Sequence, residues 1–458
     1  MRAARRTYVV IVTAGAVLAA VATGAQGAPS TVAAVPRDTA VALCQAVYGG
    51  VFAPPSAEPL AACQWDMTII HADEGTRQVA TGRGVRVGVI DTGIDATHPD
   101  VAPNLDLAAS CSLIRSDDPA IVAGLSDISE AADGDCADKA AVQDLSGHGT
   151  HVASTIAAPV NGVGIAGVAP EATLVALKAC TGIGFCFVKP VAAALRMAGD
   201  LRLDVVNLSL FADPYLYYCG NDATQRALMR EVQSAARYAQ QRGVLLVVAL
   251  GNESFDLGHP RTDPISPDFP LNTSVLRQVG NHCRQMPTEL PGVVGVSATG
   301  PVGFPGYTMN IAGYSSVGAD VAAPGGDYFV ASGTIQDGVL AALPAASAIF
   351  SDLELFDERF GLPGITVVDD GATYGVLTGT SMAAPHATGV AALIAQRHPT
   401  WGDTAVAAAL LRTATPLACP AGWAPLFPED ERYRCYGSAG HTSFFGAGLV
   451  DARRAVAP

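Results

Sequence analysis

Charge is scarce and unevenly signed in this chain. Only 15% of its 458 residues are charged, with 27 Lys and Arg against 42 Asp and Glu, a formal net charge of −15. A general nucleic-acid binder presents a basic face to the phosphates, so this balance argues against one. Long apolar runs are also missing. Beyond residues 8–22 none approaches the roughly 20 residues needed to span a bilayer, and the mean hydropathy of +0.30 owes much to Ala and Gly. There is no Cys-x-x-Cys pair, so the ten scattered cysteines do not read as a zinc site. No internal repeat, nucleotide-binding glycine fingerprint or second-domain linker occurs either. What remains is a chain long enough to bury one core of roughly 300 residues with extensions.

The N-terminus places Arg2, Arg5 and Arg6 before the apolar run at 8–22, followed by small residues Gly24, Ala25, Gly27 and Ala28. That order is the one of a secretory signal peptide. The expectation is therefore a signal over 1–27, cut near Gly27 or Ala28, with a site near Ala34 fitting almost as well. The mature protein is then secreted and extracellular, with no stable membrane anchor. An even number of cysteines in an exported chain implies disulfides, whose pairing sequence order cannot fix. Neighbours are expected to pair, because Cys180 and Cys186 flank a short Gly-containing loop and Cys419 and Cys435 bracket a segment near the C-terminus. Residues 28–62 read as a short leader or N-terminal arm pinned by Cys44 and Cys63, and residues 63–458 as one domain with surface insertions.

Short apolar, β-branched runs at 85–90, 174–177, 205–210, 244–250 and 293–297 read as strands. Between them lie helical stretches at 189–198 and 224–242, and helices rich in small residues open near 147 and 379. Strands separated by helices of this length predict an α/β fold whose mostly parallel sheet is covered on both faces. Reactive residues of such sheets collect at the carboxyl ends of the strands. Two stretches, 252–270 and 328–374, interrupt the alternation and read as surface insertions.

Three residues in this pattern form a nucleophilic set: Asp91 after the first strand, His148 at the head of one small-residue helix, and Ser381 at the head of another. A serine hydroxyl attacks poorly unless an imidazole takes its proton, and the imidazole needs a carboxylate to fix its tautomer. Asn252, after the strand at 244–250, supplies an amide for the developing oxyanion, with the Ser381 N–H as second donor. His151 and His386 read as structural neighbours of that set. Asp95 and Asp144 tune the local field without a proton to transfer.

The segments carrying these residues resemble those of the subtilases, the subtilisin-like serine peptidases. They are Val-Ile-Asp-Thr-Gly-Ile-Asp at 89–95 with His-Pro-Asp at 98–100, Gly-His-Gly-Thr-His-Val-Ala at 147–153, Val-Val-Asn-Leu-Ser-Leu at 205–210, Ala-Leu-Gly-Asn-Glu at 249–253, and Gly-Thr-Ser-Met-Ala-Ala-Pro at 379–385. The chain order Asp, His, Ser is that of subtilisin itself. The resemblance runs from about residue 64 to 451. It implies a three-layer subtilisin-like fold with about seven strands, and a secreted serine endopeptidase working through an acyl-enzyme on Ser381. It further implies that a protein or peptide substrate pairs as an extended strand along Leu208, Ser209, Leu210 and Gly251. Phe211 stands where relatives commonly have Gly, and either narrows a pocket or packs at the start of an insertion. Asn207 is implied to be a structural hydrogen-bonder behind the triad. No cofactor is implied for the chemistry, but a structural calcium is, held by Asp100, Asn161 and the carbonyls of Val163 and Ile165. The leader is short for the folded inhibitory propeptide of many relatives. A catalytically silent binding protein on this fold is the alternative. An unrelated α/β esterase is disfavoured, because Ser381 lacks a Gly-x-Ser-x-Gly elbow.

Overall fold

The computed structural model describes residues 35–115, 134–270, 272–302, 308–327, 337–345, 366–420 and 434–457. The expected signal peptide and its cleavage site lie outside them.

The central sheet follows from the short Val-, Leu- and Ile-rich runs. Its strands are β1 (Arg86–Asp91), β2 (Cys111–Ser112), β3 (Thr173–Lys178), β4 (Val205–Leu208), β5 (Leu245–Ala249), β6 (Val294–Val302), β7 (Thr308–Ile311) and β8 (Val321–Pro324). They lie in the order β7-β6-β5-β4-β1-β3-β2, with β8 pairing β6 further along. Every pairing is parallel except that of β6 with β7. Seven of the eight described strands thus run the same way, matching the sequence expectation.

Alternate residues of each strand feed opposite cores, as the pleat requires. Val87, Val89, Leu174, Ala176, Val205, Leu245 and Val247 enter one core, whereas Ile90, Val175, Leu177, Val206, Leu246 and Val248 enter the other. The first core is capped by the helices α1 (His148–Ala157) and α4 (Thr380–Arg397), the second by α2 (Val188–Asp200) and α3 (Ala223–Gln240). In α3 the buried positions Val232, Ala235, Ala236 and Ala239 recur at helical spacing, and its N-cap Asp222 accepts from the Gln225 N–H. By contrast α4 is buried from Thr380 to Ile394 on nearly every side, which its Ala, Gly and Thr content permits.

The stretch at 328–374 departs from its reading as a surface insertion. Its described parts build a second sheet in the order Val35–Pro36, Thr366–Asp369, Ala372–Leu377, Val339–Leu343, and the last of these strands is buried throughout. The first pairing, parallel, joins the N-terminal arm to this sheet, with Val35 opposite Val367. The arm continues as a helix, Arg37–Tyr48, tied by Cys44–Cys63, and Arg37 reaches Asp369 at 3.2 Å. Five disulfides form, Cys44–Cys63, Cys111–Cys136, Cys180–Cys186, Cys219–Cys283 and Cys419–Cys435, each between sequence neighbours as expected.

Candidate active site

The parallel sheet carries the C-terminal end of β1 to the head of α1. There His148 Nδ1 donates to Asp91 Oδ1 at 2.7 Å, and the same oxygen accepts the Thr92 N–H at 2.8 Å. This close approach depends on Gly149. A Cβ at that position would stand 2.1 Å from the Gly93 carbonyl oxygen and 3.2 Å from Asp91 Oδ1. Asp91 is buried, while the His148 side chain keeps 20% of its surface in solvent. Burial pulls the His148 imidazole down, but the charge and hydrogen bond of Asp91, with a further contribution from Asp144, leave it above its ordinary value.

Asp144 has a larger structural role than field tuning. Its Oδ1 accepts from Thr92 Oγ1 at 2.9 Å and from the N–H groups of Ser146 and Gly147 at 3.0 and 2.8 Å. Its Oδ2 accepts from the Thr150 N–H at 2.9 Å and Thr150 Oγ1 at 2.7 Å. One buried carboxylate thereby takes up the N–H groups of Ser146, Gly147 and Thr150, while the Gly149 N–H goes to Thr92 Oγ1, and the turn that carries His148 is fixed.

Ser381 sits one residue into α4. Pro385 has no N–H to give to the carbonyl four residues back, and Ser209 Oγ donates to the Ser381 carbonyl instead, at 2.8 Å. Behind Ser209, Asn207 Nδ2 donates to Ser209 Oγ at 2.9 Å and Thr388 Oγ1 donates to Asn207 Oδ1 at 2.9 Å, the structural part implied for Asn207. Ser381 Oγ itself donates to the Ser209 carbonyl at 3.3 Å. Among the described residues no hydrogen bond joins Ser381 to His148 in this conformation, and such bonds are often long before substrate arrives.

Asn252 is oriented by the residue before the serine. Its Oδ1 accepts both the N–H and Oγ1 of Thr380 at 2.9 Å, which turns Nδ2 outward. The point where a Gly379 Cβ would stand lies 3.5 Å from the Ser381 nitrogen and 3.6 Å from Asn252 Nδ2, so both donors border one small space. Sequence reading missed Thr380, Ser209 and Asp144 as positioning residues, although all three lie within the quoted motifs or beside them. His151 donates from Nε2 toward the carbonyls of Val339 and Gly375 at 3.1 and 3.2 Å. Burial, assisted by the charge of His148, lowers it to about 3. His386 contacts the Met382 carbonyl through Nδ1 and Asp66 Oδ2 through Nε2, each at 2.8 Å, with both side chains fully buried. Asp95 turns back onto the N–H and hydroxyl of Thr97.

Of the expected groove residues, Ser209 is hydrogen-bonded to Ser381 and Gly251 to Thr380. Leu208 and Val248 are the last facing residues of the β4–β5 ladder, so Ser209, Leu210 and Gly251 lie where the two strands part. The Leu208 side chain is sealed in the second core and offers only its main chain, while Phe211 packs against the small apolar cluster that includes Leu216, Leu250 and Leu257.

The residues expected around calcium also meet. Asn161 Nδ2 donates to Asp100 Oδ1 at 3.2 Å, the Ile165 N–H to Oδ2 at 3.0 Å, and the Val163 N–H to Asn161 Oδ1 at 2.9 Å. Tyr374 donates its hydroxyl to Asp100 Oδ2 at 2.8 Å. Two further carboxylates stand on this loop without any motif to announce them: Glu58, accepting from Gly162 at 3.2 Å, and Asp369, accepting from Gly164 at 2.8 Å. Burial pushes the Asp100 carboxyl up to about 7 against its hydrogen bonds, and Glu58 Oε2 is buried with no hydrogen-bond partner. The orphaned carboxylate oxygen of Glu58 is the feature here that a hard cation such as calcium would satisfy.

Comparison with known proteins agrees with this geometry. The sequence model of the Subtilase family matches residues 82–448. The chain is 29% identical over 394 residues to M-protease of Shouchella clausii strain KSM-K16, covering 86% of this chain and 69% of that one. It is 28% identical to Subtilisin Savinase of Lederbergia lenta, covering 86% and 98%. The fold is shared with the epidermin leader peptide processing serine protease of Staphylococcus aureus, with a TM-score of 0.60 at 21% identity over 88% of this chain and 82% of that one.

Proposed function

The chain belongs to the subtilase family and is a serine endopeptidase acting on protein or peptide substrates, and from that premise we propose that it is secreted and cleaves through an acyl-enzyme on Ser381. The observation that carries the assignment of residues is the 2.7 Å bond from His148 Nδ1 to Asp91 Oδ1. With Nδ1 donating, Nε2 of His148 is the acceptor left for the Ser381 proton, reached after the hydroxyl turns away from the Ser209 carbonyl. Oγ then attacks the scissile carbonyl, and the oxygen of the tetrahedral intermediate takes hydrogen bonds from Asn252 Nδ2 and the Ser381 N–H. His148 passes its proton to the departing amine. A water molecule, deprotonated by the same imidazole, releases the acid and restores Ser381.

Substrate pairs as an extended strand where β4 and β5 part, giving main-chain recognition beside Ser209 and Gly251. The N-terminal arm from residue 35 stays attached to the mature enzyme, a reading supported by Cys44–Cys63, the Arg37–Asp369 contact and the strand pairing of Val35 with Val367. A structural calcium held by Asp100, Asn161 and the carbonyls of Val163 and Ile165 would neutralise the carboxylates of its loop. No described helix is long and apolar enough to cross a membrane.

Intact mass after incubation with a fluorophosphonate tests the central assignment. One adduct on the secreted protein and none on S381A is the expected result, and the same spectrum reports the mature N-terminus. Well-folded protein without an adduct would refute an activated Ser381.

A further inference from the structure

The loop that follows α1 carries a reactive pair that the cleavage chemistry leaves unused. Asn161-Gly162 is the one Asn-Gly step in the sequence, and both residues are exposed. A backbone nitrogen can attack the side-chain carbonyl carbon of a preceding asparagine, and it does so most easily when it belongs to glycine, where no Cβ shields it. Gly162 keeps this freedom here. Its φ is +83°, and no atom lies within 4 Å of the place a Cβ would take. The Asn161 side chain is folded back over the same peptide. Its Oδ1 accepts the Val163 N–H at 2.9 Å, a turn that carries Cγ toward the Gly162 nitrogen.

Each atom that changes charge in such an attack already has a partner. The Gly162 N–H points to Glu58 Oε1 at 3.2 Å, an acceptor for the proton side of the nitrogen. Glu58 is buried and belongs to a distant segment, so its place is set by the fold and not by the loop. The Val163 N–H stands at the oxygen on which negative charge gathers, as a donor does in an oxyanion hole. Asn161 Nδ2 donates to the Pro99 carbonyl at 3.1 Å and to Asp100 Oδ1 at 3.2 Å, two acceptors beside the nitrogen that must leave. We propose that Asn161 is a self-modification site, converted to aspartate and isoaspartate by attack of the Gly162 nitrogen on its side-chain carbonyl. The new N–Cγ bond closes a cyclic imide, the Cγ–Nδ2 bond breaks, and the proton from the Gly162 nitrogen departs with ammonia. Water then opens the imide at either carbonyl, so one water is consumed for each ammonia released. Both reacting atoms sit in one short loop, which makes the step intramolecular and accelerates it. The product changes the loop's electrostatics. A donor to Asp100 Oδ1 is lost and a carboxylate replaces it, so like charges crowd together beside Glu58 and Asp369.

The test uses the full chain as S381A, which keeps self-digestion from intervening. The folded protein is held with a chelator in water enriched in heavy oxygen, which labels every carboxyl group made during the incubation. Peptide mass mapping then compares Asn161 with Asn221, Asn272 and Asn281, which are also exposed. Label at Asn161 should accumulate at least ten-fold faster than at any of the three, as a mixture of aspartate and isoaspartate, and N161Q should stop it. N161D, which carries one of the products, should melt several degrees below its parent in chelator. Label at Asn161 no faster than at the other three, or appearing only in protein unfolded with urea, would overturn the proposal. An unchanged Tm in N161D would overturn its electrostatic consequence. Neither result bears on the peptidase reading, since the conversion needs no serine.

Discussion

Replacing Asp144 with Asn isolates what a buried carboxylate does for the histidine four residues on. The substitution preserves shape but converts one oxygen into a donor. Whichever way the amide turns, its nitrogen faces backbone N–H groups: Thr150 at 2.9 Å on one side, or Ser146 and Gly147 at 3.0 and 2.8 Å on the other. At least one buried N–H loses its acceptor, costing about 1–3 kcal/mol, and the surviving bonds lose charge assistance. Relief of Asp144's own burial penalty offsets part of this, leaving a net loss of roughly 2–4 kcal/mol. For the roughly 360 described residues the unfolding entropy is of order 0.8 kcal/mol/K, so Tm should drop by about 3–5 °C. A second consequence is electrostatic. On the proposed mechanism neutral His148 is the base, so kcat/KM falls as pH falls through its pKa, which Asp91 chiefly and Asp144 secondarily hold up. Without the Asp144 charge that acid limb should move to lower pH. Thermal unfolding and a pH profile of kcat/KM measure the two effects on one preparation. An unchanged Tm with an unmoved acid limb would refute both the bonding and the field argument.

Three other outcomes are expected. In C44S/C63S the closed loop of about 20 residues no longer restricts the unfolded chain, a loss of about 3 kcal/mol. Hydrogen exchange at Arg37–Tyr48 should rise, and unchanged protection would show that the strand and the Arg37 contact hold the arm alone. T380V removes one of the two bonds on Asn252 Oδ1, worth about 1 kcal/mol, and should lower kcat about five-fold with little change in KM; an effect confined to KM would contradict an oxyanion role. Chelation should lower Tm by several degrees, reversibly on adding calcium, and a chelator-insensitive Tm would mean that protons rather than a cation balance Asp100 and Glu58.

Local signals made the central layers legible. β-branched runs, small-residue helix heads and motif spacing located β1, β4, β5, α1 and α4, because each records a requirement met within a few residues. The second sheet was illegible for the opposite reason: Val35 pairs with Val367, Tyr374 bonds Asp100 and Asp369 bonds Gly164, over separations that leave no local pattern. Asp91, His148, Ser381 and Asn252 could be named from chemistry and chain order. Thr380 and the structural part of Asp144 needed coordinates, since their importance lies in which donors and acceptors they face.

The Asp66–His386 contact spans 320 residues and clamps the beginning of the enzyme onto the helix that bears Ser381. A chain emerging from the ribosome at about 5–20 residues per second holds Asp66 for tens of seconds or longer before its partner exists. The helix of the proposed nucleophile is made late in the chain, and it seats against a segment made early. On the proposed assignment, no N-terminal fragment ending before α4 contains a working site.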